Sequence, residues 1–244
     1  MAIAIPAAAI GAWLFLAVGD ADEPSGPPTA VIVDQLSLTA PNPGFREEAT
    51  SMLEASGYTV DYVPGEAVTV DYYRELPTHG YDIVLLRAHA AGSDFASEAP
   101  TDDVTLFTSE PVSAEAHAEE QRGRLVKGVG YTAQDMEAGN ILFGIPPAFV
   151  EHRMRGGFEG ADVVLMGCDV LRAENMAEAF VERGAGTVVG WSRTVTAEHT
   201  DAATLSLLGY MLEDGLSAEE AAEAAMAEVG PDPYYDAEFL SYTP

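Results

Sequence analysis

A thiol and an imidazole are the groups in this chain best suited to covalent chemistry. The 244 residues contain one cysteine, Cys168, and five histidines. Residues 82–86 read Asp-Ile-Val-Leu-Leu and lead into Arg87, Ala88 and His89. Residues 162–166 read Asp-Val-Val-Leu-Met and lead into Gly167 and Cys168. The two stretches are near copies: an acid, four apolar residues, then a polar reactive group. The thiolate is the nucleophile of cysteine chemistry, and an imidazole within reach takes the thiol proton. The backbone N–H of such a nucleophile can also serve an oxyanion. A single cysteine excludes an intrachain disulfide and any multi-cysteine zinc site. The alternative reading of a lone cysteine is a small buried hydrophobe.

The thiol and imidazole meet only if the elements before them are neighbours. Continuous apolar runs of this length suit strands of a parallel sheet buried on both faces. In such sheets ligands bind beyond the carboxyl ends of the strands. Residues 30–33 (AVIV) read as another buried strand ending in Asp34, followed by a helix over 44–56 that stops at Gly57. Further strands are expected over 58–63 and 186–190, and helices over 72–76, 176–183 and 201–214. The last helix, 217–229, opens with a capping box at Ser217 and Glu220. Strand and helix in alternation predict an α/β class, a three-layer sandwich around a mostly parallel sheet. Residues 92–160 are too long for a plain crossover. They are expected to form a partly β insert edging the site, with strands near 103–108 and 140–145, a helix at 146–154, and a mobile polar stretch over 115–127. No Walker loop and no GxGxxG occurs.

The two strand-then-reactive-group segments, with the block Met-Ala-Glu-Ala-Phe-Val-Glu-Arg-Gly-Ala-Gly-Thr-Val-Val-Gly-Trp at 176–191, resemble the caspase-like cysteine peptidases. That group includes clostripain, gingipain, separase and CHAT domains. The likeness is motif-level around His89 and from 162 to 191, and one of layout elsewhere in 30–229. It implies Cys168 as nucleophile, His89 as general acid/base, and hydrolysis of a peptide or protein substrate through an acyl-enzyme without a cofactor. It also implies an oxyanion site from the backbone N–H groups of Cys168 and of the residue after the histidine, which is Ala90 here where the family commonly has glycine. In this family the loop after the first strand often lines the pocket beside the scissile bond. Asp34 would then favour Arg or Lys, with Trp191, Ser192 and Arg193 on the opposite wall; the other reading of Asp34 is a carboxylate capping a helix or loop, and of Trp191 core or rim packing. Asp169 either reads substrate or raises the thiol pKa. Arg87 is expected to pair with an acid, most simply one at the surface. Two other readings stay open: a catalytically inactive relative that binds peptides or signals, and an α/β ligand-binding domain with Cys168 in its core.

Composition narrows the partners. With 40 Asp+Glu against 11 Lys+Arg, of which Lys127 is the one lysine, the formal net charge is −29. Nucleic acid is excluded as a default partner, because a phosphate backbone needs clustered cations. The chain is nonetheless 48% hydrophobic, which disordered acidic chains are not. An acidic skin over a real core is the pattern of salt-adapted proteins of the haloarchaeal kind. Residues 1–19 are almost wholly apolar and are expected to be a membrane anchor or signal segment. Residues 20–29 form an acidic Pro-rich linker, and an extracytoplasmic domain, anchored or secreted, is expected. Residues 231–244 are expected to be an irregular tail packing through its aromatics. His79, His117, His152 and His199 are read as surface residues, and no metal-ligand spacing is present.

Overall fold

The computed structural model describes residues 26–92 and 104–244. The anchor expected at 1–19 and most of the linker lie outside the described residues. Among the described residues no helix is long and apolar enough to cross a membrane.

The chain alternates as its hydropathy requires. Strand β1 (Thr29–Asp34) leads through a short 3-10 turn to helix α1 (Pro43–Ala55), then β2 (Thr59–Pro64) and α2 (Val70–Glu75). Asn42 starts α1 by accepting the Phe45 N–H at 3.1 Å, with Pro43 in the first turn. Strand β3 (Ile83–Arg87) and the two-residue β4 (Ala90–Ala91) flank His89. The insert follows, with β5 (Thr105–Pro111), α3 (Ala118–Arg122), β6 (Lys127–Val129), α4 (Ala133–Ala138) and β7 (Leu142–Ile145). Helix α5 (Pro147–Arg153) returns the chain to β8 (Asp162–Leu165), α6 (Asn175–Glu182) and β9 (Thr187–Trp191). Helices α7 (Ala197–Leu212) and α8 (Ala218–Val229) precede β10 (Phe239–Tyr242). The capping box at Ser217 and Glu220 forms as expected.

The fold is α/β. Six strands make a mixed, mostly parallel sheet in the order β10-β9-β8-β3-β1-β2, in which β10 alone runs antiparallel. Alternate residues of the central strands enter two buried clusters. Val31, Val33, Val84, Leu86, Val163 and Leu165 pack with residues of α2, α5 and α6. Ala30, Ile32, Ile83, Leu85, Val164 and Met166 pack with residues of α1, α7 and α8. Burial on both faces is why these strands read as unbroken apolar runs rather than as alternating ones. The insert makes a second, antiparallel sheet in the order β4-β5-β7-β6, and its Leu106, Phe143 and Ile145 join the first cluster.

Three expectations are corrected. Residues 115–127 are not a featureless stretch, because α3 lies within them and β6 starts at Lys127. Residues 231–244 are not an irregular tail, because β10 pairs with β9 from Phe239–Trp191 to Tyr242–Val188. Of the tail's aromatics Phe239 is buried, whereas Tyr234 and Tyr235 are exposed. Helix α7 begins at Ala197, four residues before the apolar stripe that announced it, because Asp232 fixes its entrance. The Asp232 carboxylate accepts both the Thr196 N–H (2.9 Å) and the Thr196 hydroxyl (2.8 Å).

Candidate functional site

Strands β3 and β8 are parallel neighbours, paired from Ile83–Asp162 to Leu86–Leu165. Beyond the last pair the Met166 N–H still donates to the Leu86 carbonyl at 3.0 Å, and His89 and Cys168 lie in the loops that follow the two strands. The close approach there is visible in Gly167. A Cβ on it would lie 2.6 Å from the Ala88 carbonyl oxygen, 2.7 Å from the Ala90 Cβ and 3.1 Å from the Ala90 nitrogen. Only glycine allows the two loops to come this near. His89 and Cys168 accordingly line the same two cavities, a crevice of about 230 Å³ and a smaller recess of about 60 Å³.

His89 is held from three sides. Its Nε2 lies 2.9 Å from the Thr39 hydroxyl, and its backbone N–H donates to Gln35 Oε1 at 3.1 Å. Gln35 is itself buried, and its Nε2 donates to the Tyr131 hydroxyl at 2.8 Å. The rings of Tyr131 and Phe107, both from the insert, pack on the imidazole with centroids 5.1 and 5.7 Å away. This apolar cover desolvates the ring, and with the Arg87 guanidinium nearby it pushes the His89 pKa down to about 4. At neutral pH the imidazole is a free base. When Thr39 accepts from Nε2–H, the Nδ1 lone pair is left for a proton.

The Cys168 thiol is tethered to the loop after β9. The Val195 N–H donates to the sulfur at 3.5 Å, and the thiol faces the Val195 carbonyl at 3.6 Å. Burial raises the thiol pKa, the Val195 N–H opposes this, and Asp169 adds to it. The thiol therefore stays protonated near neutrality.

Asp169 lines the crevice with its backbone in the left-handed region, at φ 60°. Its N–H donates to the Arg193 carbonyl at 3.0 Å, and its carboxylate accepts from the Thr194 hydroxyl at 3.3 Å and lies 3.6 Å from Arg172. Ala90 also lines the crevice. The Phe107 N–H donates to the His89 carbonyl at 2.9 Å, which makes Ala90–Leu106 the pair without mutual hydrogen bonds. The Ala90 N–H thus points away from β5.

Asp34 and Trp191 are not where a substrate can meet them. Asp34 is 2% exposed, and its carboxylate is occupied by Arg87 Nη1 at 2.7 Å and by the Tyr62 hydroxyl at 3.0 Å. Arg87 is no surface cation. It is fully buried, clasps Asp201 through Nε (2.7 Å) and Nη2 (2.8 Å), and donates to the Ala40 carbonyl at 2.9 Å. Trp191 is 0% exposed, and its Nε1 donates to the Thr200 hydroxyl at 2.8 Å, which in turn donates to the Met166 carbonyl at 3.1 Å. Ser192 is drawn toward β10, where its hydroxyl accepts the Glu238 N–H at 2.9 Å. Thr39, Gln35 and Tyr131 are the site residues that sequence reasoning missed.

The other histidines have partners of their own. His117 lies 2.7 Å from Glu110, His199 is 3.0 Å from the Gly230 carbonyl, and His79 stacks between Tyr72 and Tyr81. Among the described residues no group of three or more His, Cys, Asp and Glu side chains is placed to hold a metal ion. No protein-family model matches the chain, and no curated protein matches its sequence.

Proposed function

We propose that the protein is a cysteine-dependent peptide hydrolase of the caspase-like type, with a three-layer α/β domain and a His89–Cys168 dyad. The observation that supports this reading is that His89 and Cys168 follow the parallel neighbours β3 and β8 and line one crevice. In the reaction the Cys168 Sγ–H gives its proton to His89 as sulfur bonds to the carbonyl carbon of a peptide. The Ala90 and Cys168 N–H groups donate to the oxygen that becomes negative. Collapse breaks the C–N bond, and His89 returns its proton to the leaving amine. Water, deprotonated by His89, then splits the thioester, giving a carboxylic acid and the restored thiol. No cofactor enters any of these steps. The residues at 1–19 would anchor or export the domain, and the substrate would be a peptide or protein.

The test is alkylation of Cys168 by iodoacetamide in molar KCl, followed by intact mass, with wild type and His89→Ala compared. Hydrolysis of a mixed peptide pool, lost in Cys168→Ala, is the companion measurement. A rate that falls at least tenfold without His89 supports the dyad. A slow rate indifferent to His89 removes it. The doubly tethered, protonated thiol favours one alternative, a non-catalytic domain that binds peptides in the same crevice. That alternative predicts peptide binding that survives Cys168→Ala with no turnover in either protein.

A further inference from the structure

The substrate class of this site is written in the smaller of the two cavities that His89 and Cys168 share. The recess of about 60 Å³ lies between the loop after β1, the ends of β3 and β8, and the start of α7. Its walls are Leu36, Ala40, Ala88, Gly167, Val195 and Ala197. Met166 and Thr200 also contribute, and the Thr200 hydroxyl is already committed to the Trp191 indole and the Met166 carbonyl. Among the described residues no charged side chain lines it. Behind it the charges of Asp34, Arg87 and Asp201 are buried and paired with one another, and Asp169, next to Cys168, faces the larger crevice.

Size and polarity then decide what enters. A cavity of roughly 150 Å³ is needed to admit benzene, and one water takes about 30 Å³. A recess of about 60 Å³ takes a methyl or hydroxymethyl group and has no room for Leu, Phe, Lys or Arg. A carboxylate or guanidinium would also enter without a partner, which is costly in an apolar recess. The larger crevice, about 230 Å³ and lined by Ala90, Asp169, Arg172 and Thr194, has the room and the polar groups for a peptide main chain. Because Cys168 and His89 line both cavities, a peptide whose main chain occupies the crevice with its carbonyl carbon at the sulfur has the recess beside it for the side chain of that residue.

We infer that the protein acts on peptides in which the residue bearing the attacked carbonyl is Gly, Ala or Ser, and that it rejects basic, acidic and large apolar residues there. This rests on the hydrolase reading above and replaces the Arg or Lys preference that Asp34 suggested from sequence.

The experiment uses peptidyl chloromethyl ketones that differ only in that residue: Ala, Ser, Leu, Arg and Asp. The sulfur displaces chloride from the methylene carbon, forming a thioether while the thiol proton leaves, so intact mass reads labelling of Cys168 without turnover. The full chain is used in molar KCl. The Ala and Ser probes are expected to label at least tenfold faster than the Leu, Arg and Asp probes, within the 10- to 200-fold range that a filled or overfilled pocket gives. Leu36→Ala, which enlarges the recess, should raise the Leu rate relative to the Ala rate by about tenfold. Val195→Ala is a second enlarging variant if the first fails to fold. A fastest rate with Arg, Asp or Leu overturns the inference and leaves the hydrolase reading standing. If no peptidyl probe labels faster than chloroacetone and His89→Ala changes nothing, both fall together.

Discussion

The Thr39 hydroxyl lies 2.9 Å from His89 Nε2. It reaches the imidazole from the loop after β1, whereas the thiol sits on the opposite side of the histidine's strand, after β8. The hydroxyl and the thiol are thus contributed by the loops that follow the two strands flanking β3. Thr39→Val removes the hydroxyl and keeps the shape. Cys168 alkylation and peptide hydrolysis should both fall by roughly three- to tenfold, the worth of one hydrogen bond, and Thr39→Ser should restore them. Unchanged rates in Thr39→Val would deny the hydroxyl any orienting role.

The pH profile should be unusually flat on the acid side. Burial, reinforced by Arg87, holds His89 neutral down to about pH 4. The active form is the free base, so His89-dependent alkylation should persist from pH 7 to 5 and fall as pH drops through about 4. An inflection near the ordinary histidine value of about 6.5 would contradict the burial. On the alkaline side the raised thiol pKa predicts that the rate still climbs above the range where an exposed cysteine has levelled off.

The same displacement bears on stability. An unfolded imidazole titrates near 6.5, the folded one near 4, so the unfolded chain binds more protons between those values. Stability contributed by His89 is therefore complete above the upper value and lost as pH falls through that window. Urea midpoints measured from pH 7 to 4 should decline less steeply in His89→Ala than in wild type.

Arg87 joins three distant elements, the ends of β1 and β3 and the first turns of α7, through Asp34 and Asp201. Arg87→Met strands two buried carboxylates and should cost about 3–5 kcal/mol. The triple variant with Asp34→Asn and Asp201→Asn should recover most of that loss. Urea unfolding in molar KCl measures both. A single substitution costing under about 1 kcal/mol, as at a surface pair, would show the network to be solvated.

Gly167→Ala should be disproportionately harmful for one methyl group. The Cβ meets backbone at Ala88 and the fixed Ala90 Cβ, so the loops must part. A loss of about 1–3 kcal/mol should accompany a fall in Cys168 alkylation larger than that of Thr39→Val.

The acidic skin gives the solvent dependence. With a net charge of −29, self-repulsion is unscreened in dilute buffer. Far-UV circular dichroism should show unfolding on dialysis into low salt and recovery in molar KCl. Full stability in dilute buffer would remove the salt-adapted reading.

Much of this was legible because the central strands are buried on both faces. Runs such as Ile83-Val84-Leu85-Leu86 and Val163-Val164-Leu165 announce themselves without any partner, and their endings named His89 and Cys168. What stayed hidden depends on partners far along the chain. Asp34 looks like a loop acid until Arg87, 53 residues on, is seen against it. Thr39 and Tyr131 carry no signal, since a hydroxyl or a ring becomes part of a site only by where folding puts it. Strand β10 is four residues with an exposed Leu240, too short for a hydropathy pattern, and exists because β9 offers it an edge.

That late strand has a consequence in time. The Ser192 N–H donates to the Glu238 carbonyl at 3.0 Å, and Thr196 is gripped by Asp232. The loop that tethers the Cys168 sulfur through Val195 is therefore moored to residues that leave the ribosome after everything else at the site has been made. Synthesis proceeds at about 5–20 residues per second, so for several seconds a nascent chain carries both the imidazole and the thiol without the residues that anchor this loop. The thiol's loop gains its last anchors only once the residues leading into β10 have been made and β10 has paired along the edge of β9.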